Sequence, residues 1–150
     1  MPRRELLEIE NARIIWRNFS GDPDKFHPKG GYRNFNVVID DPELAQKLAN
    51  DGWNIKIRPP REEGEEPLHT LEVAVSFENY PPKVIMVTSR NKVELDEESI
   101  GTLDSADILS TDLIISPYHY DVQGKEGIKA YLKTAYVTIE EDRFAEKYDR

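Results

Sequence analysis

The sequence predicts a mainly β fold: a small antiparallel barrel with one inserted helix at about 41–51 and a short helix within the C-terminal tail. Three observations predict it. Short stretches of alternating apolar and polar residues recur along the chain, and alternation marks a half-buried strand. One internal segment, DPELAQKLANDG, carries both the end signals and the apolar spacing of a helix. No strand–helix–strand series is visible, and no repeat of about 20–50 residues.

Residues 7–16, LEIENARIIW, alternate and are expected to form one strand. The Gly, Pro and Asp residues that follow predict a mobile loop over 20–31. A second strand is expected over 32–39, with Phe35, Val37 and Ile39 on one face. In the helix Asp41 can cap, Pro42 suits the first position, Leu44 and Leu48 are spaced i,i+4, and Gly52 fits just past the end. Residues 53–58 alternate strictly, placing Trp53, Ile55 and Ile57 inward and Asn54, Lys56 and Arg58 on the other face. The polar stretch 59–68 reads as a second mobile loop. Strands are expected at 71–77, with Leu71, Val73, Val75 and Phe77 together, and at 84–88. The acidic stretch 94–110 breaks periodicity and predicts a short helix around 96–100. Residues 113–116 and 118–122 read as a strand interrupted by Pro117, followed by a tight connection. The last strand is GIKAYLKTAYVTI. One face carries Ile128, Ala130, Leu132, Thr134 and Tyr136; the other carries Lys129, Tyr131 and Lys133, then turns apolar at Ala135, Val137 and Ile139. About seven short strands and one helix fit an OB-fold-like barrel, the commonest small barrel that binds with a sheet face.

At 150 residues the chain has the length of one domain with a real core, and is read as a single unit 1–150 with a short tail, 140–150. No apolar run approaches the ~20 residues of a membrane span, and MPRRELLEIENARIIW has no uninterrupted apolar segment of the signal-peptide kind. A cytoplasmic protein with no membrane partner is therefore expected. The absence of cysteine removes disulfides, thiolate chemistry and cysteine zinc sites. A net charge of −9 by itself argues against nucleic acid. The charge is uneven, however: residues 94–112 hold seven acids and no basic residue, whereas 13–33 hold five basic residues and two acids. Binding responds to the local field, so an acidic protein can carry a basic groove.

Nothing selects an enzyme. His27, His69 and His119 lack ligand-spaced neighbours, and no Walker, GxGxxG or GxSxG motif is present. Asp104, Asp107 and Asp112 offer oxygen ligands for a divalent metal, but their spacing matches no EF-hand loop. No catalytic residue, metal or cofactor is expected.

What recurs is aromatic residues beside basic or amide residues. Arg-Asn-Phe occurs twice, at 17–19 and 33–35, flanking one loop, so the copies would lie near each other in a hairpin. Rings stack on bases without reading sequence, and cations track phosphates. The candidate nucleic-acid-binding residues are Trp16, Arg17, Arg33, Lys56, Arg58, Tyr118, Tyr120, Lys129, Tyr131 and Lys133, while Phe35 and Trp53 are read as core.

The order of these features resembles the phage-encoded single-stranded DNA-binding proteins of the T7-type replication family. The resemblance covers about 9–139. It rests on Ile15-Trp16-Arg17-Asn18-Phe19, on Gly30-Gly31-Tyr32-Arg33-Asn34-Phe35, on the helix leading into Gly52-Trp53-Asn54-Ile55-Lys56, and on Ala130-Tyr131-Leu132-Lys133. It implies an OB-fold that coats single-stranded DNA in replication and recombination. It also implies homodimerisation, and contacts with phage replication or recombination proteins through an acidic C-terminal tail. Here EEDRFAEKYDR sets three basic residues against five acids and ends in Arg150, which departs from that tail pattern. Two rival readings accompany this one: a structural or protein-interaction module of a phage, and a metal-dependent enzyme using the acids between Asp104 and Asp112.

Overall fold

In the computed structural model, residues 6–23, 25, 27–60, 62–78, 81–89 and 91–140 are described. The expected tail helix lies outside them. Among the described residues the strands are β1 (Leu7–Ile9), β2 (Arg13–Asn18), β3 (Arg33–Val38), β4 (Ile55–Arg58), β5 (Leu68–Val75), β6 (Lys83–Val87), β7 (Lys92–Leu95), β8 (Ile108–Val122) and β9 (Lys125–Ile139). Helix α1 is Pro42–Asn50, and a 3₁₀ turn spans Ile100–Asp104. The strands form one sheet, ordered β1-β8-β9-β5-β3-β2, with β4 added beside β5 and the β6–β7 hairpin added beside β9. Most pairings are antiparallel. The all-antiparallel expectation is corrected at two places, where β9 runs parallel to β5 and to β6. No described helix is long and apolar enough to cross a membrane.

The first expected strand is two. Asn11 adopts φ 52°, a left-handed conformation that Asn tolerates better than most residues, and its N–H donates to Asp112 Oδ1 at 2.8 Å. The break sends β1 to β8 and β2 to β3, at opposite margins of the sheet. The Ala12 N–H then donates to the Thr111 carbonyl at 2.7 Å, drawing the β2 margin back toward β8. The sheet thus curls into a half-barrel. Its unzipped seam is an open cleft of about 550 Å³ between Ile14 and Arg17 on one side and Ala106 and Ile108 on the other.

Helix α1 forms as expected. Asp41 accepts from the Glu43 N–H at 2.9 Å, and Pro42 opens the first turn. Ala45 and Leu48 are the residues it buries, while Leu44 stays at the rim. Gly52, at φ 105°, turns the chain so that Trp53 enters the core. Ile57, expected inward, is 65% exposed on β4, which among the described residues pairs only with β5. The expected loop 59–68 is shorter, since β5 already begins at Leu68. The acidic stretch also yields more order than its composition suggests: β7 takes its first residues, β8 its last, and the helical turn falls at Ile100–Asp104.

The long β8–β9 hairpin turns at Gln123 and Gly124, both with positive φ, as a two-residue hairpin turn requires. Pro117 sits inside β8 without breaking it. It faces Ala130, and β1 covers β8 only at residues 113–115, so the missing N–H faces an unpaired edge. In β9, Leu132 pairs with Ile115 and Thr134 with Ile114, leaving Lys133 as a bulge with no partner across the ladder. The bulge shifts the alternation by one. Ile128, Ala130 and Leu132 are buried before it, Ala135 and Val137 after it, and Tyr136 is exposed. The continuous alternation expected for this strand is thereby corrected, and its apolar second half is explained.

The core lies on the concave face. Phe35, Val37, Leu71, Val73, Val84 and Ile115 have no exposed surface, and Ile100 and Leu103 from the 3₁₀ turn seal it. Burial of such side chains contributes roughly 1.5–3 kcal/mol each.

Candidate nucleic-acid interface

Side chains alternate across a strand, so a buried concave face dictates which residues the convex face presents. The register sets Asn36 opposite Glu72, Lys56 opposite Thr70, Ala74 opposite Tyr131, and Tyr118 opposite Lys129. Asn36, Glu72, Ala74, Lys129 and Tyr131 each sit between two residues of the core, and Asn36, Thr70 and Ala74 are themselves buried. Strands from five parts of the chain therefore share one face, from which Lys56, Glu72, Tyr118, Lys129 and Tyr131 reach solvent.

Rings and cations meet on it. The Lys129 ammonium lies 5.3 Å from the Tyr32 ring centre and 5.2 Å from that of Tyr131, within cation–π range of both. His27 stacks on Tyr32 at 4.3 Å, and Tyr118 meets Tyr131 edge-on at 6.0 Å. At the far side of the sheet the Arg58 guanidinium lies 5.2 Å from the Trp16 ring centre. Trp16 is 50% exposed and sits in a bulge of β2 with φ 51°. That conformation is costly for a residue other than glycine, and such strain concentrates at functional sites. Lys56 and Lys133 are exposed.

Tyr120 lies across Gly127, its partner in the ladder; a Cβ at 127 would come within 2.7 Å of Tyr120 Cζ. Asn54 Nδ2 donates to the Tyr120 hydroxyl at 3.2 Å, tying the hairpin to the segment between α1 and β4. A glycine covered by a cross-strand ring is a known device for holding a strand pair.

Glu72 stands in the middle of this surface. Its Oε1 accepts from the Tyr32 hydroxyl at 2.6 Å and from Asn34 Nδ2 at 3.2 Å. Partial burial opposes its ionisation. The two hydrogen bonds and the charges of Lys56 and Lys129 outweigh that and hold its carboxyl below the usual range.

Of the residues picked out in the sequence, Trp16, Lys56, Arg58, Tyr118, Tyr120, Lys129, Tyr131 and Lys133 come to this surface or its margin. Arg17 and Arg33 are engaged elsewhere. Arg17 Nη1 donates to the carbonyls of Leu103 and Ala106 at 2.7 and 2.8 Å, stapling β2 to the 3₁₀ turn. Arg33 has the parity of Phe35; its Nε donates to the Phe19 carbonyl at 3.0 Å, and its guanidinium lies over Phe77 and beside Glu97. The repeated Arg-Asn-Phe is thus a structural pairing: Asn18 is in register with Asn34, and Phe19 stacks on Phe35 at 5.2 Å. Glu72 is the member that sequence reasoning missed, while Tyr32 entered it only within Gly30-Gly31-Tyr32-Arg33-Asn34-Phe35 and not as a candidate contact. The available signal was an acid at an outward position of an otherwise apolar strand, LEVAV.

Two of the three acids considered for a metal, Asp104 and Asp112, serve the backbone. Asp104 accepts from the N–H groups of Phe19 and Ser20 and from the Ser20 hydroxyl, at 2.6–3.0 Å. Asp112 accepts from Asn11. Among the described residues no group of three His, Cys, Asp or Glu is placed to hold a metal ion.

A curled sheet that presents rings and cations on its open face defines a class, the β-sheet binders of single-stranded nucleic acid. The chain belongs to the family described as "Putative phage ssDNA-binding domain", whose model matches residues 1–150. Its fold is that of the single-stranded DNA-binding protein of bacteriophage Enc34. The structure of that protein in complex with ssDNA is similar with a TM-score of 0.59 at 13% identity, over 93% of this chain and 89% of that one. A C-terminally truncated form gives 0.57 at 12%, over 91% and 87%. The gp2.5 protein of bacteriophage T7 aligns over 97% and 95% with a TM-score of 0.46 at 11% identity. Among curated proteins none matches.

Proposed function

We propose that the convex face of this sheet binds single-stranded DNA without sequence preference during phage DNA replication. Bases stack on Trp16, Tyr118 and Tyr131, and phosphates lie along Lys56, Arg58, Lys129 and Lys133. The observation that carries this is the convergence of Tyr32, Lys129, Tyr131 and Tyr118 from three separate segments onto one surface, with Trp16 and Arg58 paired at its far side. Stacking needs an accessible ring and phosphate contact needs an accessible cation, and here each is held beside the other. The solved complex of the Enc34 protein with ssDNA, which shares this fold, supports the reading. In it Arg17 and Arg33 maintain the fold, Tyr120 braces the hairpin, and the chain is a binding protein, not an enzyme, that works in the host cytoplasm. The test is a titration of labelled oligo-dT against duplex of equal length at two salt concentrations. Tighter binding of the single strand, weakening with salt, is expected. Equal or tighter duplex binding refutes the proposal.

A further inference from the structure

The proposed function leaves unused the acid at the centre of the face. A carboxylate there repels phosphate, so by charge alone its removal should tighten binding. Its contacts point the other way. Glu72 Oε1 accepts from the Tyr32 hydroxyl across the sheet at 2.6 Å, and the Tyr32 ring lies 5.3 Å from the same ammonium that stands 5.2 Å from Tyr131. Tyr32 precedes β3, outside the strand ladder, and its ring is placed by the stack on His27 and by the hydroxyl bond to Glu72, which ties it to the sheet. Lys129 is flexible, and a cation is directed where an aromatic face attracts it.

We propose that Glu72 is a positioning residue for the single strand: by holding the Tyr32 hydroxyl it fixes that ring as a support, and the ring keeps the Lys129 ammonium beside Tyr131, where the phosphate of a base stacked on Tyr131 lies. This rests on the proposed function. The geometry gives the inference a sign that simple electrostatics does not share. Glu72→Ala removes both the charge and the tether. Glu72→Gln removes the charge and keeps an amide oxygen that can accept from Tyr32. Tyr32→Phe keeps the charge and the ring and removes the tether.

The experiment is anisotropy of labelled oligo-dT with the full chain and each variant at several salt concentrations, with thermal melts alongside. Glu72→Ala is expected to weaken binding about fivefold at ~0.1 M salt relative to ~1 M, the counterion-release contribution of one phosphate contact. It should thus flatten the log–log salt slope by about 0.7, one phosphate contact on a single strand. Glu72→Gln should restore affinity and slope to the parent's or beyond, and Tyr32→Phe should resemble Glu72→Ala. Binding by Glu72→Ala as tight as the parent's or tighter overturns the inference, as does a Glu72→Gln variant as weak as Glu72→Ala. Should Glu72→Ala not fold, Tyr32→Phe decides: parent-like affinity and slope overturn the inference, and weakening supports it. A parent protein that does not prefer oligo-dT to duplex refutes the proposed function itself, whereas a binding parent with indifferent variants overturns only the role of Glu72.

Discussion

Replacing Tyr131 by Ala removes the ring at the centre of the convex face. The ring touches Tyr118 edge-on at 6.0 Å and lies 5.2 Å from the Lys129 ammonium, and it faces Ala74 across the parallel pairing. The expected stability loss from these contacts is about 0.5–1.5 kcal/mol for the aromatic pair and about 0.5–1 kcal/mol for the cation–π contact. The effect on binding is expected to be larger. A stacked ring contributes roughly 1–3 kcal/mol per base, which corresponds to roughly 5- to 150-fold in Kd. Lys129→Ala and Lys133→Ala should behave differently, each reducing the log–log salt slope by about 0.7. The assay is anisotropy of labelled oligo-dT across a salt series, with a thermal melt of every variant to separate binding from folding. If Tyr131→Ala melts close to the parent and binds as the parent does, while both lysine variants keep the parent slope, this part of the surface is merely solvated. Binding would then have to depend on Trp16, Lys56 and Arg58.

Three further outcomes are expected. Gly127→Ala should destabilise the β8–β9 hairpin by about 1–3 kcal/mol, because the new methyl group meets the Tyr120 ring, and Tyr120→Ala in the same chain should recover part of the loss in a thermal melt. Arg17→Ala should lower stability by about 2 kcal/mol through loss of two charged hydrogen bonds, as read by urea unfolding, and leave the salt slope of DNA binding unchanged. The Glu72 carboxyl ionises more readily in the folded protein than at its ordinary value of 4.5, so its stabilisation is complete above that value and is lost as pH falls through the lower folded one. Glu72→Gln should therefore show a smaller loss of melting temperature than the parent on acidification below pH 4.5.

Whatever depends on near neighbours could be read from the residues in order. Helix α1 was legible because Asp41, Pro42 and Gly52 act on backbone within one turn of themselves. The strands were legible from alternation, and Lys129 and Tyr131 were placed correctly on the face opposite Ala130 for the same reason. The grouping of aromatic and basic residues, and with it the family resemblance, required no third dimension. Whatever depends on distant partners was set only by folding. The bulge at Lys133 exists because β8 offers Ile115 and Ile114 in a register that skips it, and it alone turns Ala135 and Val137 inward. Arg17 looked like a phosphate ligand, yet its guanidinium is taken by carbonyls 86 and 89 residues away. Arg33 looked the same until its parity placed it with Phe35. Glu72 and Tyr32, 40 residues apart, become one unit only when β3 and β5 pair. A side chain's type is local information, but whether its charge is spent inside the protein or offered to a ligand is set by which unpaired backbone and side-chain groups the fold brings within hydrogen-bond reach.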